Sequence, residues 1–441
     1  MGDKIIEIKH LTRVEGHGGI TVFLDGGKVR DVHMDIFEGG RFYEALVRGK
    51  PYHTLAPIVS RVCAICSASH AVCAQIAVED AFGIEISPRT RLLRDLLLQG
   101  ENIESHALHL FLLVLPDYLG YPSALDMARD HGHAARMGLA LKQLGNLIQE
   151  TVGGRAVHPP NVLVGGFGRM PSPSALENLV EKVRMGMEMI PILVELMAGI
   201  PVPRVLEEET VYLALLPPEG YGFVSRRIAA SDGSTYSAEE FASICHERVV
   251  SHSHAKQSLY SKRPFAVGAQ SRVVLAGDRL EGQARVALDR FGGQQGPFGQ
   301  GNPLFNGLAQ AVELVYSLET AARNLQMLLD GAFPTEEKRP EIVPRSGTGI
   351  GLIEAPRGIL YHQYEFDEEG TIVDADIITP TAQNLSNIER DLRLITERYG
   401  SMIGRDGLLL PGMAPLNGKD LPFLLQVIAR AYDPCISCSV H

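Results

Sequence analysis

Two Cys-x-x-Cys pairs, Cys63-Ala-Ile-Cys66 and Cys435-Ile-Ser-Cys438, are the residues of this chain best suited to chemistry. Such a turn sets two sulfurs on one side of the backbone, and two turns facing each other form a four-thiolate site for a soft metal. Zinc, an iron–sulfur cluster or a nickel–iron pair all suit four thiolates. Because 372 residues separate the pairs, only tertiary folding can join them. Structural zinc is the ordinary reading of two such pairs, yet zinc pairs usually staple a short loop, whereas these would tie together distant parts of a large chain. The other cysteines, Cys73 and Cys245, are too few for a cubane cluster. Cys73 reads as a small buried apolar residue. His246, His252 and His254, beside Cys245, lack the i, i+4 spacing of a paired metal site and read as a solvated helix face.

The elements that must position the cysteines are legible from periodicity. Residues 4–36 alternate in the strand period, with a hairpin turn at Asp25-Gly26-Gly27, so a small sheet opens the chain. From about residue 54 the pattern is helical: Leu92, Leu93, Leu96 and Leu97 begin a long helix, apolar on more than one side and therefore interior. Ser174-Ala-Leu-Glu177 and Ser237-Ala-Glu-Glu240 read as capping boxes, each opening a helix of about 20 residues. Further helices are expected near 126–150, 303–331 and 384–399. The Gly- and Pro-rich stretches 216–236 and 264–302 read as loop excursions. The expected architecture is a mainly α (α+β) single domain spanning 1–441. It has a β-rich part over about 1–50, a bundle of long central helices over about 54–441, and both chain ends meeting at the metal.

Composition limits the function. A chain of 441 residues that is 45% hydrophobic can bury a large core. With 41 basic against 52 acidic residues there is no electrostatic footprint for nucleic acid. No apolar run reaches the roughly 18 residues of a membrane span. The polar N-terminal segment, without an apolar signal, points to the cytoplasm.

RVCAICSASH at 61–70 and RAYDPCISCSVH at 430–441 resemble the two signature motifs of nickel–iron hydrogenase large subunits. Ala64 stands where the family usually has glycine. RVEGHGG at 13–19, RFYEALVRGKP at 41–51, GRAVHPPNVLVGG at 154–166, EAPRGILYH at 354–362 and ITPTAQN at 378–384 match further family blocks in order. The DPCxSCxxH ending and modest length look most similar to cytoplasmic bidirectional members. The resemblance implies reversible oxidation of hydrogen to protons and electrons. A nickel-free quinone-module component of a respiratory complex, related by ancestry, is the second alternative to a zinc protein; such components lack the four cysteines.

The resemblance also assigns roles. Cys63 and Cys435 would be terminal nickel ligands, with Cys66 and Cys438 bridging nickel to an iron that carries cyanide and carbon monoxide. Buried cyanide nitrogens need hydrogen-bond donors, and Arg357 and Thr381 match the positions that supply them, with Pro356 alongside. Glu15 matches the first proton relay. His70 and Asp433 would orient ligands or line the gas-facing pocket. Glu44, the Ile377 carbonyl and His441 match a site for magnesium or another divalent ion. His106 and His109 match histidines of the helix near the metals, where Ser105 replaces an acidic residue of many membrane-bound members. The implied partners are an iron–sulfur small subunit, diaphorase-type electron-transfer subunits, and a maturation protease that cuts a longer precursor after His441. No nicotinamide, flavin or cluster motif appears in this chain, so electrons must leave through a partner.

Overall fold

In the computed structural model, residues 4–294, 296–331, 333–334, 338–400 and 419–441 are described. The alternating segment forms three antiparallel strands, β1 (Lys4–Ile8), β2 (Gly18–Asp25) and β3 (Lys28–Ile36), paired in sequence order. Asp25 pairs with Lys28 across Gly26 and Gly27, both at positive φ, as the two-residue turn requires. Ile20, Val22, Val32, Met34 and Ile36 turn one face into the core.

The helical part is built on α1 (Ser67–Phe82), α2 (Pro88–Leu108), α3 (Gly132–Gly153) and α4 (Asn306–Asp330). Ser87 caps α2 through its hydroxyl, with Pro88 in the first turn. Helices α2 and α3 cross in close contact because both are glycine where they touch: a Cβ on Gly145 would lie 2.5 Å from the Gly100 carbonyl oxygen. Two further helices, α5 (Pro380–Tyr399) and α6 (Leu421–Ala431), carry the chain back to the 435–441 segment. A six-residue π-helix, His109–Val114, extends α2, a distortion often found near functional sites.

β-structure is not confined to the N-terminal part. Three antiparallel strands, β4 (Gly347–Ala355), β5 (Gly358–Phe366) and β6 (Ile372–Ile378), form a second sheet under the metal region. It escapes a reading by alternation because β4 and most of β5 are buried on both faces. Helix α1 lies directly on β4: a Cβ on Gly351 would come within 2.0 Å of the Cys73 carbonyl oxygen, and one on Gly349 equally near that of Ala77.

Several local expectations need correction. Stretch 264–302 holds helices Ala269–Ala276 and Gly282–Arg290, whose flanking glycines mark helix starts rather than a loop. Stretch 216–236 includes strand Arg227–Ala230, which pairs with Val211–Leu215 in a four-stranded sheet. The cap near 174 is Ser172, because Pro173 fixes the first helical residue. The Ser237–Glu240 capping box forms, but its helix ends at Ile244. Cys245–Arg248 then pairs as a strand with Gln257–Tyr260. His246 is thus on a strand and not on a helix face. His252 reaches Glu389 at 2.7 Å and stacks on His33 at 4.0 Å. Among the described residues, no helix is long and apolar enough to cross a membrane.

Candidate metal centre

Each cysteine pair sits where chain direction changes. Cys63 is extended after a short 3-10 turn, and Cys66 is the residue from which α1 starts. On the other side, α6 ends at Ala431, and Asp433 takes a left-handed conformation (φ 52°) with its N–H returning to the Arg430 carbonyl. Aspartate tolerates this region better than most residues. The turn aims Pro434-Cys435 back toward Glu15, where Ile436 N donates to the Glu15 carbonyl at 2.9 Å.

The four sulfurs converge, all within 4.8 Å of one another and all buried. Cys63 lies 3.2 Å from Cys435, Cys66 3.2 Å from Cys438, and Cys435 3.0 Å from Cys438. Burial opposes ionisation of Cys63, but hydrogen bonds from the other thiols and the Arg357 charge hold it well below the usual thiol range. Hydrogen bonding to neighbouring sulfurs and burial push Cys66 and Cys438 up. Four thiolates cannot share so small a volume without cations, so the donor set fits soft metal ions.

Around the sulfurs, Glu15 accepts from the Cys435 thiol (3.2 Å), the Ser437 hydroxyl (2.6 Å) and the Ser437 amide (3.1 Å). Burial, followed by the charge of Cys435, raises its pKa to about 7. The Cys435 amide donates to Thr381 Oγ1 at 2.9 Å, which leaves the Thr381 hydroxyl hydrogen available. Arg357 donates through Nε to the Asp433 carbonyl (2.8 Å) and through Nη2 to the Asp433 carboxylate (3.0 Å). Its Nη1 is buried and has no partner among the described residues, an orphaned donor beside the sulfurs. Pro356 offers its carbonyl to Arg272 at 3.0 Å. His70 Nε2 is 3.8 Å from the Cys438 sulfur.

A second constellation lies against the 438–441 segment. His441 Nε2 is 2.5 Å from the Ile377 carbonyl oxygen and 3.8 Å from Glu44 Oε1, while Nδ1 is 2.9 Å from the Cys438 carbonyl oxygen. A neutral imidazole carries one N–H, so one nitrogen must face an oxygen without a proton. A cation held by Nε2, the Ile377 oxygen and Glu44 would relieve that contact. Lys256, within 3.5 Å of Glu44 and 2.8 Å of Glu247, borders the same place.

Comparison with known proteins decides the family. A profile described as nickel-dependent hydrogenase matches residues 41–144 and 230–441, and a HoxL-like profile matches 5–38. The chain is 38% identical to the alpha chain of sulfhydrogenase 1 of Pyrococcus furiosus, over 99% of this chain and 97% of that one. The chain belongs to the nickel-dependent hydrogenase family. It is also 31% identical to a component of the vhu F420-non-reducing hydrogenase of Methanocaldococcus jannaschii, over 88% of this chain and 97% of that one. Among solved folds it resembles an NAD+-reducing [NiFe]-hydrogenase (TM-score 0.85, 24% identity, 99% of both chains). It is likewise similar to the Ni-Fe-Se hydrogenase from D. vulgaris Hildenborough (TM-score 0.76, 20% identity, 100% of both). The zinc-protein and quinone-module readings are thereby set aside.

For this hydrogenase, the sequence motifs do not reveal the residues that hold the Arg357 loop. Arg272, fully buried, pairs with both oxygens of Glu313 (2.5 and 2.6 Å) and with Glu354 (2.7 Å), and donates to the Ala355 and Pro356 carbonyls. Glu354 lies inside the EAPRG motif, which could have pointed to it; Arg272 and Glu313 lie outside every motif. His106 binds Glu313 at 2.9 Å, and His109 contacts Gln310, which donates to Asp433. His362 stands 3.0 Å from His70 and was legible only as the last letter of EAPRGILYH.

Proposed function

We propose that this catalytic subunit oxidises hydrogen reversibly at a nickel–iron centre that the thiolates of Cys63, Cys66, Cys435 and Cys438 would hold. The observation that carries the reading is the convergence of four buried sulfurs from segments 372 residues apart, with a carboxyl group on one of them. When bound, the metals supply the Lewis acidity that makes hydrogen acidic and the orbitals that take its electrons.

The protein's part is to hold charge and move a proton. Glu15 is placed to receive the proton from the Cys435 sulfur, and Ser437 holds both carboxylate oxygens in reach of it. Its pKa near 7 suits exchange in either direction at neutral pH. The orphaned Arg357 Nη1 and the free Thr381 hydroxyl hydrogen are the donors that cyanide nitrogens on the iron would need, with Pro356 shaping the same wall. Asp433 locks Arg357, and His70 faces Cys438. Glu44, the Ile377 carbonyl and His441 would hold a divalent ion, magnesium or another, at the contact between β6 and the 438–441 segment.

Electrons leave through an iron–sulfur small subunit, then through diaphorase-type subunits, in the cytoplasm. The alpha-chain relative of Pyrococcus furiosus, one part of a larger enzyme, and the NAD+-reducing structural neighbour support this assembly. The test is metal analysis of the purified complex with Cys63→Ser and Cys435→Ser variants. Nickel and iron in the parent, with nickel and hydrogen turnover lost in the variants, are expected. Full nickel in either variant would overturn the ligand assignment.

A further inference from the structure

Three buried side chains lead away from the Cys438 sulfur in an unbroken line. His70 Nε2 lies 3.8 Å from Cys438 Sγ, His70 Nδ1 lies 3.0 Å from His362 Nε2, and His362 Nδ1 lies 2.7 Å from the Tyr364 hydroxyl. All three are completely buried. His70 comes from the first turn of α1, while His362 and Tyr364 are alternate residues on β5, so they share one face of the strand. The close seating of α1 on β4 at Gly349 and Gly351 brings the helix to this sheet.

We infer that Tyr364 is a positioning residue which fixes the direction of this hydrogen-bond chain, so that His70 always presents an N–H to the Cys438 sulfur. Donor and acceptor inventory leads to one order. Among the described residues the Tyr364 hydroxyl bonds only to His362, so its hydrogen is satisfied only by donation to His362 Nδ1. His362 must then carry its hydrogen on Nε2 and donate to His70 Nδ1. His70 in turn carries its hydrogen on Nε2, facing sulfur. In the opposite order, the tyrosine hydrogen is buried unpaired and a ring lone pair faces the thiolate that Cys438 would be as a metal ligand, two unsatisfied contacts in a dry site. Both rings are completely buried and neither has a carboxylate partner among the described residues, a setting that favours the neutral imidazole. No proton is gained or lost anywhere in the chain; what Tyr364 sets is which nitrogen holds the existing one.

The inference rests on Cys438 being a metal ligand. An N–H directed at a thiolate stabilises the electron-rich state of whatever the sulfur binds. Removing the hydroxyl in Tyr364→Phe frees the chain to reverse, and a site-specific 3-fluorotyrosine, a stronger donor, holds it more firmly.

Nitrogen-15 NMR of the histidine-labelled holoenzyme reads the donor nitrogen directly, because the His70–His362 pair is identified by coupling across its own hydrogen bond. The parent is expected to show His362 Nε2 as donor and His70 protonated on Nε2. Tyr364→Phe should give a mixture or the reversed order, with nickel and iron retained. The midpoint potential of the centre should shift negative in Tyr364→Phe and positive in the fluorotyrosine protein. His70 Nδ1 found as donor in the parent, or parent tautomers unchanged in Tyr364→Phe, would overturn the inference. A potential unmoved in both variants would remove its link to Cys438. If Tyr364→Phe does not fold, the fluorotyrosine protein carries the test by the sign of its potential shift. Failure of the ligand assignment is separable, since Cys438→Ser would then keep its full nickel and iron.

Discussion

At the scale of single residues, two carboxyl groups show how the same physics serves different ends. Glu15 is pushed up to about 7 by burial and by Cys435, but stays in contact with a sulfur and a serine hydroxyl. Glu15→Gln keeps the shape and one acceptor while removing the titrating group. It should leave metal content intact while lowering turnover and hydrogen–deuterium exchange by roughly 10²–10⁴; undiminished exchange would move the proton path elsewhere. Glu101, on α2, accepts from the Ala68 and Ser69 amides at the start of α1 and from the Ser69 hydroxyl. Burial raises it to about 8 against those bonds. The unfolded carboxyl releases its proton near 4.5 and the native one near 8. Between these values the native state binds more protons, so its contribution to stability, complete below 4.5, is lost as pH rises toward 8. Denaturation across that window should show a shallower decline for Glu101→Gln than for the parent; equal slopes would mean the carboxyl is solvated. Glu15 was legible because it sits in a motif. Glu101 and Arg272 were not, because a buried charge is marked by its three-dimensional partners and not by its neighbours in sequence.

Elements position these residues through close approach more than through propensity. Helix α1 can carry Cys66 and His70 to the site only because β4 has no side chain at Gly349 and Gly351. Gly351→Ala forces a Cβ against the Cys73 carbonyl and should destabilise by about 1–3 kcal/mol. It should also lower nickel occupancy, because the helix must lift away from the sheet that holds His362. A variant with unchanged melting temperature and full nickel would show that the helix can shift without cost. The hairpin of β2 and β3 and the long helices α2, α3 and α4 were legible in advance from turn residues and periodicity. The β4–β6 sheet was not, since burial on both faces erases alternation. The helix expected after Ser237 failed for the complementary reason: its cap forms, but strand pairing with Gln257–Tyr260 overrides local preference.

Across the whole molecule, the sulfur cluster joins segments that packing alone would hold less firmly. Chelating the metals should lower the melting temperature by several degrees and expose residues 419–441 to proteolysis before any helix of the bundle is cut. An unchanged cleavage pattern would show that packing alone secures that segment. The pairing of Ile436 with Glu15 also bears on how such a molecule is made. With 372 residues between Cys63 and Cys435, and synthesis at about 5–20 residues per second, roughly 20–75 seconds pass between the first pair and the second. Throughout that interval the nascent chain carries two cysteines without their counterparts, and Glu15 faces no sulfur. A two-thiolate fragment discriminates poorly among soft ions. Selectivity for the right metals is therefore a question of timing as well as affinity, and any soft ion captured early competes for the site before the cage that would reject it exists.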